Sequence, residues 1–389
     1  MGSLIELWPL PYTDAVVASG ALALGVVAGL LGTFAVLRGR SLVGDALAHA
    51  ALPGVCLAFL ITGAKDSASL LAGAACAGIV GAFLMVGIER TTKLKADAAI
   101  GVVLSSFFSL GIVLLTYISG RDDADQAGLE RYLFGQAAGL AEGDVELMGA
   151  LALASIVVVV LLFRPLKTTL FDPSFAGATG LPVRALELAM TAFLVVAVVA
   201  GLQMVGAILM VAMLVVPATA ARQLVSRLGL LLPLAAVIGA AVGVTGALLS
   251  ARGQVPTGPV IVLVGVGLTL FVVLVAPHRG VLWRARRLAR DRARARTERA
   301  LLDLLAGLTV DDERTLRALR RRGWVATDGL TTAGRSRAEA VSARRDLWSA
   351  WLEHGWELEL PDAREPDPRD VAGSLGDAAA ARLRELASA

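Results

Sequence analysis

Residues 41–60 read SLVGDALAHAALPGVCLAFL. A run of this length and apolarity fits a spanning helix, which needs about 20 residues to cross roughly 30 Å of hydrocarbon. Two polar side chains, Asp45 and His49, stand inside it. Four residues apart, they share one helix face. An Asp at the centre of an inserted helix costs about 2.5–3.5 kcal/mol, so Asp45 needs a compensating role. Two structural roles are open near the helix end, capping the helix or pairing with Arg38 or Arg40. Neither accounts for His49, one turn deeper. A carboxylate and an imidazole on one face offer O and N ligands that suit Mn, Fe or Zn. Two ligands do not complete a coordination sphere, so the chemistry points to a two-fold dimer whose axis brings two Asp and two His together. Pro53 has no N–H for the carbonyl of His49, which leaves that oxygen free to face a pathway.

Outward from this helix, further apolar segments run over 14–37, 67–88, 97–119, 145–163, 185–202, 204–221, 229–250 and 256–276. With 43–62 they predict an all-α polytopic membrane fold of about nine spans. The stretch 185–221 is divided at Gly201–Gly206, because one helix of that length overshoots a bilayer. Gln203 falls in that turn, and Pro217 is expected to kink the seventh span. Composition agrees: 56% of the 389 residues are apolar and only 18% charged, against about 25% charged in soluble domains. An ordinary soluble enzyme is thereby excluded. Mean hydropathy is +0.72. Cys56 and Cys76 are too few for a disulfide framework, and the first eleven residues hold Glu6 but no Lys or Arg, the wrong start for a cleaved signal peptide.

Charge sets the orientation. With the N-terminus outside, ten basic residues fall in inner loops and four in outer ones, as the positive-inside rule requires. An odd number of spans then puts the C-terminal part in the cytoplasm. The outer loop 120–146 is acidic, with Asp122, Asp123, Asp125, Glu130, Glu142, Asp144 and Glu146. Such a mouth suits a cation or a cationic docking face, or is simply a solvated loop. Two small-residue stripes, Gly25-x-x-x-Gly29 and Gly239-x-x-x-Gly243, allow close helix approach without naming the partner.

Taken with LGTFAVLRGR before it, SLVGDALAHAALPGV resembles the second-span signature of permeases of metal-ion ABC importers, the zinc, manganese and iron uptake type. GLQMVGAILMVAMLVVPATAARQL resembles that family's sixth-to-seventh-span region, and FDPSFAGATGLPVRALE its cytoplasmic coupling segment, with Asp172, Ala176 and Gly180 in register. The resemblance covers residues 13–276. It implies a permease in the bacterial inner membrane, homodimeric, docked on two cytoplasmic ATPase subunits and fed by an extracytoplasmic metal-binding protein. Asp45 and His49 match its metal-coordinating pair, and Phe171–Pro182 its ATPase-coupling segment. The cargo is a divalent ion (Mn, Zn or Fe), with no permanently bound cofactor and no catalysis in this chain. The sequence agrees on the last point, since none of its four lysines lies in a G-x-x-x-x-G-K-[ST] phosphate loop. A permease for iron chelates or cobalamin is disfavoured, because a large organic ligand does not need the Asp45/His49 pair.

Residues 1–278, the expected permease domain, carry a net −1, whereas 279–389 carry +4. Residues 279–300 read as a basic linker helix beside anionic head groups. Over 301–389, Asp311-Asp312-Glu313 opens a helix that Gly323 ends, Trp324–Thr332 reads as a hairpin, and another helix follows. This order resembles the winged helix of iron-dependent repressors of the diphtheria-toxin-repressor type, a small α(+β) cytoplasmic domain. The repressors' metal ligands after the wing have no counterpart. Asp362, Glu365, Asp367 and Asp370 are scattered carboxylates, and His354 alone makes no site. An interaction or dimerisation role under the ATPases is favoured over nucleic acid binding through Asp311–Arg322. The alternative is a membrane-tethered metal-responsive regulator.

Overall fold

The computed structural model describes residues 11–63, 67–120, 140–277, 280–326, 329–358, 365–368 and 370–388. Glu6, most of the acidic loop, His278 and Asp362 lie outside the described residues. The chain divides into two compact units, Met1–Trp283 and Arg284–Ala389.

Among the described residues the first unit contains helices and no strands. Its helices are α1 (Tyr12–Leu37), α2 (Val43–Thr62), α3 (Ser67–Thr91), α4 (Ala96–Ser119), α5 (Glu142–Leu161), α6 (Phe163–Phe171), α7 (Pro173–Ala178), α8 (Val183–Val205), α9 (Ala207–Leu224), α10 (Leu228–Gly253) and α11 (Thr257–Val275). Among the described residues, eight of these are long and apolar enough to span a membrane. The ninth expected span, 204–221, is the 18-residue α9, about 27 Å long at 1.5 Å per residue and at the short end of what crosses a bilayer; its described part alone, Met210–Leu224, is too short to count among the eight. Gly206, with φ 85°, separates it from α8, a conformation that glycine adopts without penalty. The expected span 145–163 ends at Leu161 instead, and a separate short helix, α6, follows.

α1 and α2 form the centre: 72% and 67% of their apolar windows are buried, against 22% for α4, α5 and α11. The outer helices leave Phe83, Val113, Leu153, Leu263 and Phe271 exposed, as lipid-facing side chains are. The two glycine stripes meet each other. A Cβ on Gly25 would stand 2.2 Å from the Gly239 carbonyl oxygen, one on Gly29 2.3 Å from that of Ala235, and one on Gly243 2.4 Å from that of Ala21. Rising numbers on α1 pair with falling numbers on α10, so the crossing is antiparallel and backbone touches backbone. Gly54 and Gly73 make the corresponding contact between α2 and α3.

The second unit contains α12 (Val281–Leu305), α13 (Glu313–Arg321), β1 (Val325–Ala326), β2 (Gly329–Leu330), α14 (Thr332–His354), α15 (Val371–Leu375) and α16 (Asp377–Ser388). The basic helix does not end at residue 300. It runs five residues further because Leu301 is buried with Leu319, Val325 and Ala338, and Leu304 and Leu305 pack on the same cluster. Asp312 caps α13 by accepting from the Arg314 N–H and the Thr315 hydroxyl. Gly323, at φ 69°, ends the helix region, and β1 and β2 pair antiparallel, Val325 opposite Leu330. Helix, hairpin and helix therefore follow in the expected order. Among the described residues the sheet has only these two strands. A second core joins α14 to α15 and α16 through Leu347, Ala350, Val371, Ala380 and Leu383.

Candidate functional site

Neither structural role for Asp45 is realised. α2 is capped by Leu42 without a side-chain hydrogen bond, so Asp45, in its first turn, is not the cap. Arg38 instead approaches Glu187 of α8, Nη2 to Oε1 at 3.6 Å. Arg40 donates to both Glu89 oxygens of α3, at 2.7 and 2.9 Å. Asp45 pairs with His49 itself, Oδ1 lying 3.3 Å from Nε2, and the two side chains are 28% and 14% exposed. Phe108 of α4 meets the imidazole edge-on, with centroids 4.7 Å apart and an interplanar angle of 72°.

With one nitrogen on Asp45 and the ring wedged against Phe108, His49 Nδ1 is left buried with no hydrogen-bond partner. A buried polar atom of this kind costs free energy until something binds it. Pro53 lies inside the helix, which continues to Thr62, so the His49 carbonyl also lacks its usual donor. One face of α2 thus offers a carboxylate, a ring nitrogen and a backbone oxygen within one turn. Among the described residues no cluster of three or more His, Cys, Asp or Glu is able to hold a metal ion. Among the described residues of one chain the donor set is incomplete.

Of the remaining expected pathway residues, Pro217 sits inside α9, where it removes the N–H that Met213 would accept. Close by, the Thr269 hydroxyl of α11 donates to the Val216 carbonyl at 3.4 Å. Gln203 lies in the last turn of α8, its side chain outside the described residues.

The segment Phe171–Pro182 forms a compact turn-helix-turn. Asp172 accepts from the Phe175 N–H at 2.8 Å, and Pro173 occupies the first helical position of α7. Ala176 is fully buried. Gly180, with φ 84°, closes the helix while the Leu181 N–H reaches back to the Ala176 carbonyl at 3.0 Å, a left-handed glycine ending. Pro182 caps α8. Phe171 and Phe175 remain 64% and 58% exposed. The segment thus presents two aromatic side chains on a rigidly capped support.

Sequence reasoning missed the pairs made by Arg38 and Arg40. They tie the turn between α1 and α2 to α8 and α3, beside a small cavity of about 70 Å³ lined by Phe34, Arg38, Arg40, Glu89, Leu166 and Met190. Glu187 reads in sequence as a routine charge at a span end, and no local spacing links it to Arg38.

Comparison with known proteins bears on the same residues. The profile of a family described as the ABC 3 transport family matches residues 12–276. Over 295 residues the chain is 46% identical to the zinc transport system membrane protein TroC of Treponema pallidum (strain Nichols), which covers 74% of this chain and 98% of that protein. It is 45% identical over 293 residues to the manganese transport system membrane protein MntC of Bacillus subtilis (strain 168), covering 75% and 67%. Among solved structures, PsaBC from Streptococcus pneumoniae in complex with Fab superposes with a TM-score of 0.62 at 31% identity, covering 72% of this chain and 97% of that one.

Proposed function

The chain belongs to the ABC 3 transport family, and on that premise we propose that it is the multi-pass permease subunit of an ATP-driven importer of divalent transition metal ions. Manganese and zinc lead the cargo list because similar relatives are named for them, and iron accepts the same donors. Asp45 and His49 coordinate the metal in transit, and a second copy of the chain supplies the donors that one chain lacks. The observation that carries this reading is the Asp45 carboxylate 3.3 Å from His49 Nε2 on one face of a spanning helix, with Arg38 and Arg40 paired elsewhere. Ligands at about 2.1 Å in a tetrahedral array stand roughly 3.4 Å apart, so Oδ1 and Nε2 are spaced as two donors on one ion and a metal seated between them takes one donor from each residue.

The rest of the assembly follows from the same premise. Two separate cytoplasmic ATPase subunits dock on Phe171–Pro182, where Phe171 and Phe175 are exposed and the capped helix transmits movement into α8. An extracytoplasmic binding protein delivers the ion, the N-terminus lies outside, and the C-terminal unit lies in the cytoplasm. The helix–hairpin–helix order of that unit supports a winged-helix-like accessory module.

The test is uptake of radiolabelled manganese and zinc in cells whose own importer is deleted. Asp45→Ala and His49→Ala are expected to abolish accumulation while membrane abundance of the chain, read by immunoblot, stays unchanged. Normal uptake by either variant refutes the assignment.

A further inference from the structure

The second unit contains a concave site of about 380 Å³, lined on α12 by Arg290, Arg294 and Glu298, and otherwise chiefly by Arg322, Trp324 and Arg337. Cavities of roughly 300–1,000 Å³ are the size that small ligands occupy. Four arginines face one carboxylate, and that carboxylate is already engaged. Glu298 accepts from Arg294 at 2.9 Å and from Arg344, outside the cleft, at 2.7 Å. Among the described residues no carboxylate pairs with Arg290, Arg322 or Arg337.

Trp324 gathers two of these cations. The Arg322 guanidinium carbon is 5.2 Å from the indole centroid and that of Arg337 is 6.0 Å from it, so the two charges lie within about 11 Å of each other. The Debye length at physiological salt is about 8 Å, so at that upper limit their mutual repulsion is largely screened. Stacking on the indole fixes the planar forks but neutralises nothing. Arg290 approaches from a separate helix, so cations from three chain segments converge on one concavity.

We propose that this cleft binds a small phosphate-bearing anion. Guanidinium forks match phosphate oxygens two at a time, and several converging forks suit an anion with at least two negative charges. The cleft is concave and bounded by α12 and α14. A nucleic acid duplex needs instead an element that protrudes into a groove. The shared chemistry is a phosphate ester, whether free in solution or carried as a lipid head group, and binding there would let the level of that anion act on the C-terminal unit. The proposal stands apart from the Asp45/His49 assignment, since it uses no residue of the first unit.

The full-length chain, without ATPase partners and in phosphatidylcholine nanodiscs, is titrated with inorganic pyrophosphate while tryptophan fluorescence and melting temperature are followed. A parallel arm replaces pyrophosphate with phosphatidic acid, whose head group is a phosphate monoester, in the nanodisc. Saturable binding in the first arm identifies a soluble phosphate. A response in the second arm alone identifies a head group. In the arm that responds, Arg290→Ala and Arg337→Ala are each expected to weaken binding about tenfold, the loss of one charge-assisted contact, and Arg337→Lys to recover only part. Circular dichroism confirms that the variants fold. No saturable response in either arm, a response that the arginine variants leave unchanged, or tighter occupation by duplex DNA each overturns the proposal.

Discussion

Replacing Gly239 by alanine tests the α1–α10 crossing on which the membrane unit is built. A Cβ at this position would lie 2.1 Å from the Gly25 carbonyl oxygen, where ordinary contact begins at about 3.4 Å, so the backbones must part by about 1 Å. A gap of that size forfeits about a quarter to a half of each 0.1–0.2 kcal/mol atom-pair contact. Over some thirty to forty pairs, an order-of-magnitude count for a tight crossing, the loss is about 1–3 kcal/mol, the range for overpacked cores. Alanine's higher helix propensity returns at most about 1 kcal/mol. The net destabilisation expected is then about 0–2 kcal/mol against wild type, and about 1–3 kcal/mol against an alanine that gains propensity without a clash. Gly25→Ala meets the Gly239 carbonyl at 2.2 Å and should cost the same. The double variant should cost little more than either single one, because one separation admits both methyl groups. A coupling of about 1 kcal/mol then appears in the double-mutant cycle. Gly267→Ala, with open space around its Cβ, is the control. The readout is thermal exposure of the buried Cys56 thiol to a fluorescent reagent in detergent, with the exposed Cys76 changed to Ser. Additive single effects, or a Gly239→Ala protein as stable as the Gly267→Ala control, refute the backbone-contact account.

Two further outcomes are open to measurement. Arg40→Gln breaks the bidentate pair with Glu89, whose side chains are 36% and 32% exposed; at that exposure the loss is at most about 1 kcal/mol, and Glu89→Gln in the same chain should return part of it in the same melting assay. In the second unit the Thr315 hydroxyl, aided by backbone N–H groups and the Arg296 charge against a smaller desolvation effect, holds the Asp312 carboxyl below its usual range. A depressed folded-state pKa contributes stability above the unfolded value of about 3.9 and loses it as pH falls through the folded one. Asp312→Ala should therefore lower hydrogen-exchange protection of the α13 amides at neutral pH, and the gap from wild type should close once the pH drops below both values. A gap that persists in strong acid contradicts the capping assignment.

Features set by local chemistry were legible in the sequence. The i, i+4 spacing put Asp45 and His49 on one face, and the length of 185–221 demanded a break. The particular break needed the backbone, since Gly201 packs against the Met210 side chain while Gly206 takes the positive φ. The glycine stripes announced close approach, but spacing on one helix carries no information about its neighbour, so their mutual contact emerged only in three dimensions. The same limit hid the partners of Arg38 and Arg40, which sit on α8 and α3. α6 was missed because nine residues carrying Arg164, Pro165 and Lys167 have no long apolar run to signal them.

The partners of Arg38 and Arg40 also sharpen the reading of Asp45. Had either arginine neutralised it, the carboxylate would be a structural element with its charge already answered. Both arginines are engaged elsewhere, and Asp45 is left to His49, near the N-terminal end of α2 where the helix dipole favours a negative charge by about 0.3–1 kcal/mol. A purely structural Asp–His pair would satisfy both ring nitrogens, because an unpaired buried acceptor costs about 1–3 kcal/mol. Here Nδ1 is unsatisfied. For a permanent metal centre that would be poor construction, since two side-chain donors per chain bind weakly. For the proposed transit site it is apt, because an ion in passage must be bound well enough to enter and loosely enough to leave. The incompleteness of the donor set among the described residues of one chain therefore supports the transport role and the need for a second copy together.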